Sequence, residues 1–375
     1  MATKRSARTA LSGRGVPAAP SRSGYGVTIL DIARELDISH TTVSRALAGH
    51  KHISDETKDR VNLAVKRMGY VPHASARTMR GKPSSVVGLV IPDIRNDFYA
   101  SIAKIVADTL AAESMQLMLS VTEDDPDREE KELRAMLQAR PAGVIIVATA
   151  APRRETLAML GEVEFVELIR AHANAAANAV LIDDSAGTSA AVRHLLGYGH
   201  RRIAYIGGST DLSTGRERLA GFEAALAEKK IAPVEIALGP PRPDFARHAV
   251  ALMMARKDRP TGLVFGSSEL TLGALQGLKA KNLEWPRDVS IVGYHDPAWF
   301  ELVGAGITTV RVPVQEIAQA ATRVLLNRIN NEDGAPSGTG RHTAMRFSPT
   351  LVLRGSTMAV PSRHDRRKSA IPRSA

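Results

Sequence analysis

The chain has 375 residues, enough for two or three folded units, and it contains no cysteine. The absence of cysteine excludes disulfide bonds, thiolate nucleophiles and cysteine-based zinc sites. The longest apolar run, around "AGVIIVATAA", falls far short of the roughly 18 residues that a membrane-spanning helix needs, so no membrane partner is predicted.

The formal net charge of +11 is concentrated in two stretches of the chain. Residues 1–83 hold 15 Lys and Arg against 6 Asp and Glu, residues 361–375 hold 5 against 1, and the residues between them sum to −2. A basic head on a near-neutral body predicts a polyanionic partner, although a solvated basic surface would give the same charge. Residues 1–26 and 358–375 are expected to be disordered basic segments. Glycines and prolines in the first of them interrupt any amphipathic transit helix.

Three short helices are predicted between residues 27 and 72. "ILDIAREL" (Ile29–Leu36) repeats apolar residues at the i, i+3, i+4 and i+7 spacing of one helix face. A second helix runs from His40 to about Ala48, because the hydroxyl of Ser39 can cap its first N–H groups. A third helix is predicted from the Ser54 cap to Gly69.

The second helix has two different faces. Val43, Ala46 and Leu47 form an apolar stripe when the helix is wound at about 100° per residue. A different face carries hydrogen-bonding groups that no core needs: His40, Thr41, Ser44 and Arg45. A helix, a short turn and a helix with one buried and one polar stripe predict a helix-turn-helix, whose polar face contacts DNA.

From Ser84 the pattern changes, because short β-branched runs alternate with helical stretches as far as residue 357. This alternation predicts an α/β body with parallel sheets that are buried on both faces. We expect two doubly wound halves that meet near Asp183 and again near Arg311. The predicted halves are residues 84–183 with 312–341, and residues 184–311 with 342–357.

Several segments together resemble the LacI/GalR family of transcriptional regulators. The resemblance runs from about Val27 to Thr357 and is carried by "VTILDIARELDISHTTVSRALAG", "ISDETKDRVNLAVKRMGYVPHASARTMRGK", "VVGLVIPDIRNDFY", "LLGYGHRRIAYIGG", "RERLAGF" and "DVSIVGYHD". It implies a homodimer that binds palindromic double-stranded operator DNA, and a periplasmic-binding-protein-like body with a small-molecule effector between its halves. A repressor is expected ahead of an activator, because occluding an operator requires no contact with polymerase.

The resemblance also implies individual DNA contacts in the head. His40, Thr41 and Arg45 would read base edges in the major groove, with the Arg45 fork suited to guanine. A second group would hold phosphates and fix the register: Thr28, Ser39, Ser44, His52 and Thr57.

A hinge helix is implied at residues 73–83. It is too short to be stable alone, so it would fold on DNA and contact it through Ala76 and Met79. Met79 stands where the family usually wedges a leucine into the minor groove, and it keeps an apolar wedge there. Packing between domains is the alternative role of Met79.

Candidate effector residues follow the strands of the body, where α/β sheets bind ligands. By the resemblance, Arg218 in "RERLAGF" would grip the ligand, whereas Ser267 and His295 stand where the family often has Asn and Asp. Position after a strand adds the other candidates: Asp93, Phe98, Arg170, Asp296 and Trp299. The aromatic members are alternatively core residues.

The residue types in the predicted cleft favour an acidic effector. Amide and carboxylate groups that would bind sugar hydroxyls are replaced at Ser267–Ser268 and at His295, whereas Arg218 and Arg170 add positive charge. Sugar acids are therefore expected ahead of sugar phosphates and aromatic acids. A neutral sugar remains an alternative effector, because three carboxylates could still bind its hydroxyl groups: Asp93, Asp296 and Glu269. Because histidine titrates near pH 6.5, His295 is also expected to raise effector affinity as the pH falls toward 6.

Other classes of protein fit the sequence less well. A solute-binding protein would need an export signal and no DNA-binding head. A sugar-metabolising enzyme would need a phosphate loop, a nucleophile elbow or a metal-spaced cluster, and none is found, so no cofactor is expected. A ligand-dependent activator stays open. The segment "AVPSRHDRRKSAIPRSA" has no heptads, which favours a dimer over a tetramer, and the protein is expected in the cytoplasm at the nucleoid.

Overall fold

The computed structural model describes residues 27–70, 84–171, 178–330 and 344–360. The chain divides after Arg80 into two compact units, which are considered one at a time. The predicted basic arm, the hinge helix with Ala76 and Met79, and residues 361–375 of the predicted tail lie outside the described residues.

Within residues 27–70 the first unit contains helices α1 (Ile29–Leu36), α2 (His40–Leu47) and α3 (Asp55–Met68). Each helix begins after a hydroxyl side chain that accepts a backbone N–H, and these caps are Thr28, Ser39 and Ser54. A small buried core holds the helices together: Ile32, Ala33, Val43, Ala46, Val61 and Ala64. The three predicted helices are confirmed, with ends that differ from the prediction by about one residue.

The second unit alternates strands and helices, as the sequence pattern predicts. In chain order its elements are β1 (Val86–Ile91), α4 (Asp97–Ala112), β2 (Gln116–Val121), α5 (Pro126–Gln138), β3 (Gly143–Ile146), α6 (Arg154–Leu160), β4 (Phe165–Ile169), β5 (Asn178–Ile182), α7 (Asp184–Gly197), β6 (Ile203–Gly207), α8 (Ser213–Ala227), β7 (Ile236–Leu238), α9 (Pro243–Ala255), β8 (Gly262–Phe265), α10 (Ser268–Ala280), β9 (Ser290–Tyr294), a 3₁₀ turn (Ala298–Glu301), β10 (Thr309–Arg311), α11 (Val314–Ile329), β11 (Ala344–Phe347) and β12 (Thr350–Val352).

The strands form two six-stranded sheets, one in each half of the body. The first has the order β11-β5-β4-β3-β1-β2 and is parallel throughout. The second has the order β12-β10-β9-β8-β6-β7 and is parallel except where β12 runs against β10. Central strands such as β3 and β9 are buried along their whole length, because helices cover both faces of each sheet. The predicted pair of doubly wound halves is confirmed.

One predicted boundary was wrong. Residues 342–357 were all assigned to the second half, but β11 pairs in parallel with β5 and completes the first sheet. Only β12, two residues later, joins the second sheet. The segment "AMRF" is short and mostly exposed, so its sequence pattern carries little information on which sheet it joins.

The described chain passes between the halves at three points. These are Asp183 after β5, residues 312–313 after β10, and residues 348–349 after β11. The first and third passages lie side by side, because the Asp183 N–H donates to the Phe347 carbonyl oxygen at 2.9 Å.

A close helix crossing in the second half depends on a glycine. Where α7 and α8 cross, Ser189 Oγ donates to the carbonyl oxygen of Gly221 at 2.8 Å. A Cβ atom at Gly221 would lie 2.2 Å from the carbonyl oxygen of Ser185. Backbone atoms cannot move aside as the end of a side chain can, so this crossing requires glycine.

We therefore expect Gly221→Ala to lower the free energy of unfolding of the body by roughly 1–3 kcal/mol or more, through overpacking. Gly197→Ala is the matched control, because Gly197 also lies in a helix and a Cβ there would meet nothing within 4 Å. The control should be neutral or stabilising by up to about 1 kcal/mol. Urea unfolding of both variants decides, and equal stabilities would contradict the packing argument.

Candidate functional site

The exposed face of α2 carries the predicted base-reading residues. Ser39 Oγ accepts from the Thr42 N–H at 3.0 Å and fixes the start of the helix. His40, Thr41 and Arg45 are exposed, and Ser44 is half-buried. Val43 and Ala46, on the opposite face of α2, are buried in the core. Their packing holds the polar face of the helix toward the outside.

Arg45 differs from the other arginines of the described head. Arg34 pairs with Asp31, Arg67 pairs with Glu35, and Arg60 donates to the Leu36 carbonyl oxygen. Within residues 27–70, the guanidinium group of Arg45 makes neither a hydrogen bond nor an ion pair. Its guanidinium fork is therefore available to an external acceptor such as a guanine edge.

Some of the predicted phosphate contacts already have a role inside the protein. Thr28 Oγ1 donates to Asp31 at 2.7 Å, and Thr57 Oγ1 lies 2.8 Å from Ser54 Oγ. These hydroxyls hold helix starts, so a phosphate contact would have to share or replace the cap. His52 is exposed in the turn before α3. The phosphate contacts of these residues stay predictions.

The body contains a cavity of about 790 Å³ at the carboxyl ends of strands from both sheets. The position is the one that parallel α/β sheets favour for ligands. Six of the predicted effector residues line it: Asp93, Phe98, Arg170, Arg218, Ser267 and His295.

The other two predicted effector residues, Asp296 and Trp299, do not line the cavity. Asp296 accepts from Arg354 at 2.7 Å and 3.0 Å, and from Arg311 Nε at 2.7 Å. Trp299 lies edge-on to Phe300, at 4.5 Å between ring centroids, and packs against the core of the second half. Both predictions were wrong, because the chain turns away from the cavity after His295.

Arg218 lies in the cavity wall within a buried polar cluster. Its Nε donates to Asp184 Oδ1 at 2.8 Å, its Nη1 donates to the Gly266 carbonyl oxygen at 2.6 Å, and its Cζ lies 4.1 Å from the centroid of the Tyr294 ring. Burial alone would lower the pKa of Arg218, but the Asp184 carboxylate, together with Tyr294 and Tyr205, outweighs burial and raises it. Arg218 is therefore a permanent cation that is matched by a buried anion.

Arg170 is neutralised in the same way. Both terminal nitrogens of Arg170 donate to Asp124, Nη1 also donates to the Ala148 carbonyl oxygen at 3.0 Å, and Nη2 donates to Tyr99 Oη at 3.4 Å. The expectation that Arg218 and Arg170 make the cavity cationic was therefore wrong, since each guanidinium has its own carboxylate.

The sequence did not predict Asp124 and Asp184, the carboxylates that pair with Arg170 and Arg218. Asp124 follows β2, so the strand-end rule that found Asp93 could have found it. Asp184 stands in the first turn of α7, where an acid is common for its interaction with the helix dipole, and the sequence gives no sign of its partner.

His295 follows β9 and lies against Phe98 from α4. The two rings are stacked, with centroids 4.0 Å apart and planes 2° apart. Neither ring nitrogen of His295 has a hydrogen-bond partner, and burial, assisted by the charge of Arg218, holds its pKa well below the ordinary range. The predicted rise in effector affinity as the pH falls toward 6 is wrong on this geometry, because the imidazole stays neutral there.

None of the helices in the described part of the chain has the length and apolar character that crossing a membrane requires. Among the same residues, no group of three or more His, Cys, Asp or Glu side chains is arranged to hold a metal ion.

We expect Arg218→Met to lower the free energy of unfolding by roughly 3–5 kcal/mol, because it leaves the Asp184 carboxylate buried without its partner. The double variant with Asp184→Asn should recover much of that loss, since the stranded charge is then removed. A double-mutant cycle by urea unfolding measures the coupling, and additive losses would contradict it. A lost effector response in Arg218→Met alone would consequently not identify a ligand contact.

His295 should also make the protein less stable in acid. Its pKa is about 6.5 in an unfolded chain and lower in the fold, so below pH 6.5 the unfolded state binds more protons and stability falls with the pH. His194 and His200, whose pKa burial also lowers, act in the same direction and remain in the variant.

His295→Phe removes one of these groups, so it should reduce the acid loss by about 1.4 kcal/mol for each pH unit below 6.5. Urea unfolding at pH 7, 6 and 5.5 measures this. Parallel pH profiles for the wild type and the variant would show that His295 is protonated in the fold.

Comparison with known protein families gives one match in each of the two units. The sequence profile described as "Bacterial regulatory proteins, lacI family" matches residues 28–73, and the one described as "Periplasmic binding protein-like domain" matches residues 192–357.

Relatives match over most of the chain. The transcriptional regulator AscG of Escherichia coli (strain K12) is 30% identical over 351 residues, which cover 90% of this chain and 99% of AscG. The transcriptional repressor PurR of Haemophilus influenzae (strain PittEE) is 26% identical over 337 residues, which cover 89% of this chain and 99% of PurR. A crystal structure of the lac repressor dimer bound to operator and the anti-inducer ONPF shares the fold, with a TM-score of 0.77 and 22% identity over 89% of this chain and 100% of that chain. The chain therefore belongs to the LacI family of bacterial transcriptional regulators.

Proposed function

We propose that this protein is a repressor that binds a palindromic operator as a homodimer and is released when a small molecule binds in the cavity of its body. The observation that carries the proposal is α2, which presents an unpaired Arg45 beside the exposed His40 and Thr41. Bidentate contact from such a guanidinium is the commonest way in which proteins read guanine in the major groove.

Two copies are needed because one α2 helix reaches only one half-site. A twofold dimer places two such helices on the two halves of a palindrome, and it doubles the contact area. The solved lac repressor structure with the same fold is described as a dimer on its operator.

The cavity is the proposed effector site. It lies between two sheets, and a ligand that contacts both halves binds one arrangement of them better than another. Asp93, Phe98, Arg170, Arg218, Ser267 and His295 are the proposed contacts. Ala76 and Met79 remain proposed minor-groove contacts, and the bacterial nucleoid is the proposed location.

Two alternatives share the body. A solute-binding protein has the same two-sheet architecture but no DNA-reading head, and the lacI-family match at residues 28–73 disfavours it. A ligand-dependent activator would use the same head. A reporter gene placed behind the bound site distinguishes a repressor from an activator, because loss of a repressor raises expression and loss of an activator lowers it.

We expect selection from random duplexes with the full-length protein to return a palindrome, and binding to it to weaken steeply with salt as phosphate contacts release counterions. Arg45→Ala should lose roughly 1–3 kcal/mol of preference at one guanine in each half-site, while affinity for random DNA changes little. Competition gel shifts on both DNAs measure the difference.

Arg67→Ala is the matched control, because it removes the same charge from a guanidinium that pairs with Glu35 on the head. It should affect operator and random DNA alike. An equal loss on both DNAs for Arg45→Ala would make Arg45 a phosphate contact, and enrichment of no sequence at all would contradict the proposed function.

A further inference from the structure

The end of the second half that lies opposite the cavity is basic. In a parallel sheet the helices return the chain to one end, so the connections that lead into the strands lie together there, away from the ligand-binding ends. Four such connections lead into β6, β7, β8 and β9, and they are residues 198–202, 228–235, 256–261 and 279–289. Together they hold ten Lys and Arg against five Asp and Glu. This surface is called the basic end below.

The four connections lie side by side. Their strands are neighbours in the sheet, in the order β9-β8-β6-β7. Arg202 Nε donates to the Arg259 carbonyl oxygen at 3.0 Å, which joins the connections into β6 and β8. The Ser290 N–H donates to the Thr261 carbonyl oxygen at 2.9 Å and joins β9 to the same row. Because neighbouring strands lie about 4.8 Å apart, the row is about 15 Å wide.

The acids of the basic end do not neutralise it. Three arginines, Arg193, Arg256 and Arg287, pair with all five of its Asp and Glu side chains. The other eight Lys and Arg side chains, two in each connection, make no ion pair with any residue that the structure describes. Eight like charges close together repel one another, and a polyanion bound across the row would offset this repulsion.

Helix dipoles do not explain the charge. Basic side chains are favoured at the carboxyl ends of helices, so some are expected wherever helices end. The first half repeats the arrangement at residues 113–115, 139–142 and 161–164, which follow α4, α5 and α6 and lead into β2, β3 and β4. Those connections hold one Arg against three Glu. The positive charge is therefore particular to the second half and is not a general result of how the body is built.

The described chain ends beside this surface. The Val360 N–H donates to the Tyr198 carbonyl oxygen at 2.9 Å, and His200 Nε2 donates to the Met358 carbonyl oxygen at 3.1 Å. Tyr198 and His200 both belong to the connection into β6. Residues 361–375 follow directly in the sequence and hold five Lys and Arg against one Asp. A second run of positive charge thus begins at the basic end.

The residues of the basic end favour duplex DNA over other partners. Tyr198 is the only large apolar side chain that is exposed in the four connections, so the surface lacks the apolar face that inserts into a bilayer and the aromatic rings on which unpaired bases stack. A second copy of the chain would bring two basic surfaces together, which repel. Duplex DNA carries one negative charge for about 1.7 Å of its axis, or about nine across the width of the row.

We propose that the basic end binds double-stranded DNA through its phosphates, without preference for sequence, as a DNA contact separate from that of α2. The unpaired lysines and arginines of the four connections donate to phosphate oxygens, and the release of counterions from the duplex favours binding. A chain whose head holds an operator can then hold a further stretch of duplex. The inference rests on the proposed function in one respect, because the head keeps the chain close to DNA.

Three lysines in different connections provide the test. Lys229, Lys257 and Lys281 are exposed and make no ion pair with a described residue. Changing all three to Gln in the full-length protein should flatten the salt dependence of binding to a random duplex, measured by fluorescence anisotropy. Each lost phosphate contact removes about 0.9 from the slope of log affinity against log salt, so between about 50 and 200 mM salt the wild type should lose about 40-fold more affinity than this variant.

The matched control is the triple variant Lys131→Gln, Arg140→Gln and Arg154→Gln. It removes the same charge from exposed side chains of the first half that also make no ion pair with a described residue. The control should keep the wild-type slope. Equal slopes in all three proteins would overturn the proposal, and so would equal flattening in both variants, because the effect would then follow net charge alone.

A second measurement separates the basic end from the head. With the heads saturated by unlabelled operator, the wild type and the control should still bind the labelled random duplex, and the Lys229, Lys257 and Lys281 variant should bind it at least about tenfold more weakly. If saturation with operator abolishes this binding in the wild type, the proposal is wrong. It is also wrong if the lysine variant loses binding to phosphatidylglycerol vesicles but not to the duplex. If selection returns no operator, the proposed function fails, while the salt dependence on random DNA still decides on the basic end.

Discussion

The second half of the body is organised around one buried ion pair, between Asp184 and Arg218. Asp184 begins α7 and Arg218 lies in α8, while the Gly266 carbonyl oxygen after β8 and the Tyr294 ring at the end of β9 complete the cluster. Because neither charge could be buried without the other, the pair fixes how these four segments meet. Arg170 and Asp124 repeat the arrangement in the first half. Each of the two buried guanidinium groups in the cavity wall is consequently neutralised by a carboxylate.

The pairing of these charges could not be predicted from the sequence. The residue patterns of helices and strands repeat over a few positions, so this periodicity predicted α1 to α3 and both sheets. Partners are set by the fold, and Arg218 is 34 residues from Asp184 while Arg170 is 46 residues from Asp124. His295 and Asp296 show the same difficulty at close range. Both follow β9, but the left-handed backbone at His295 sends only one of them to the cavity, and no local pattern reveals that turn.

The head shows that one residue type can serve two purposes within a few positions. The hydroxyls of Thr28, Ser39 and Thr57 take part in helix starts, whereas Thr41 stands exposed on the outer face of α2. Propensity explains the first group, because short side-chain oxygens satisfy the N–H groups that a helix leaves open. It says nothing of Thr41 or of Arg45. Their significance comes from side chains that have no hydrogen-bond or ion-pair partner in the described head, which only a structure can establish.

The three passages of the chain between the halves restrict how the body can move. Asp183, residues 312–313 and residues 348–349 lie side by side, because the Asp183 N–H donates to the Phe347 carbonyl oxygen and Arg311 pairs with Thr350. The Arg346–Glu217 ion pair also joins the halves, at 2.8 Å and 2.9 Å. Connections grouped at one side act as a pivot, so the halves can rotate about it far more easily than they can slide or separate. One rotation about this pivot then both opens the cavity and tilts one half against the other. A ligand that stops this rotation acts at the same moment on every surface that the tilt would have displaced.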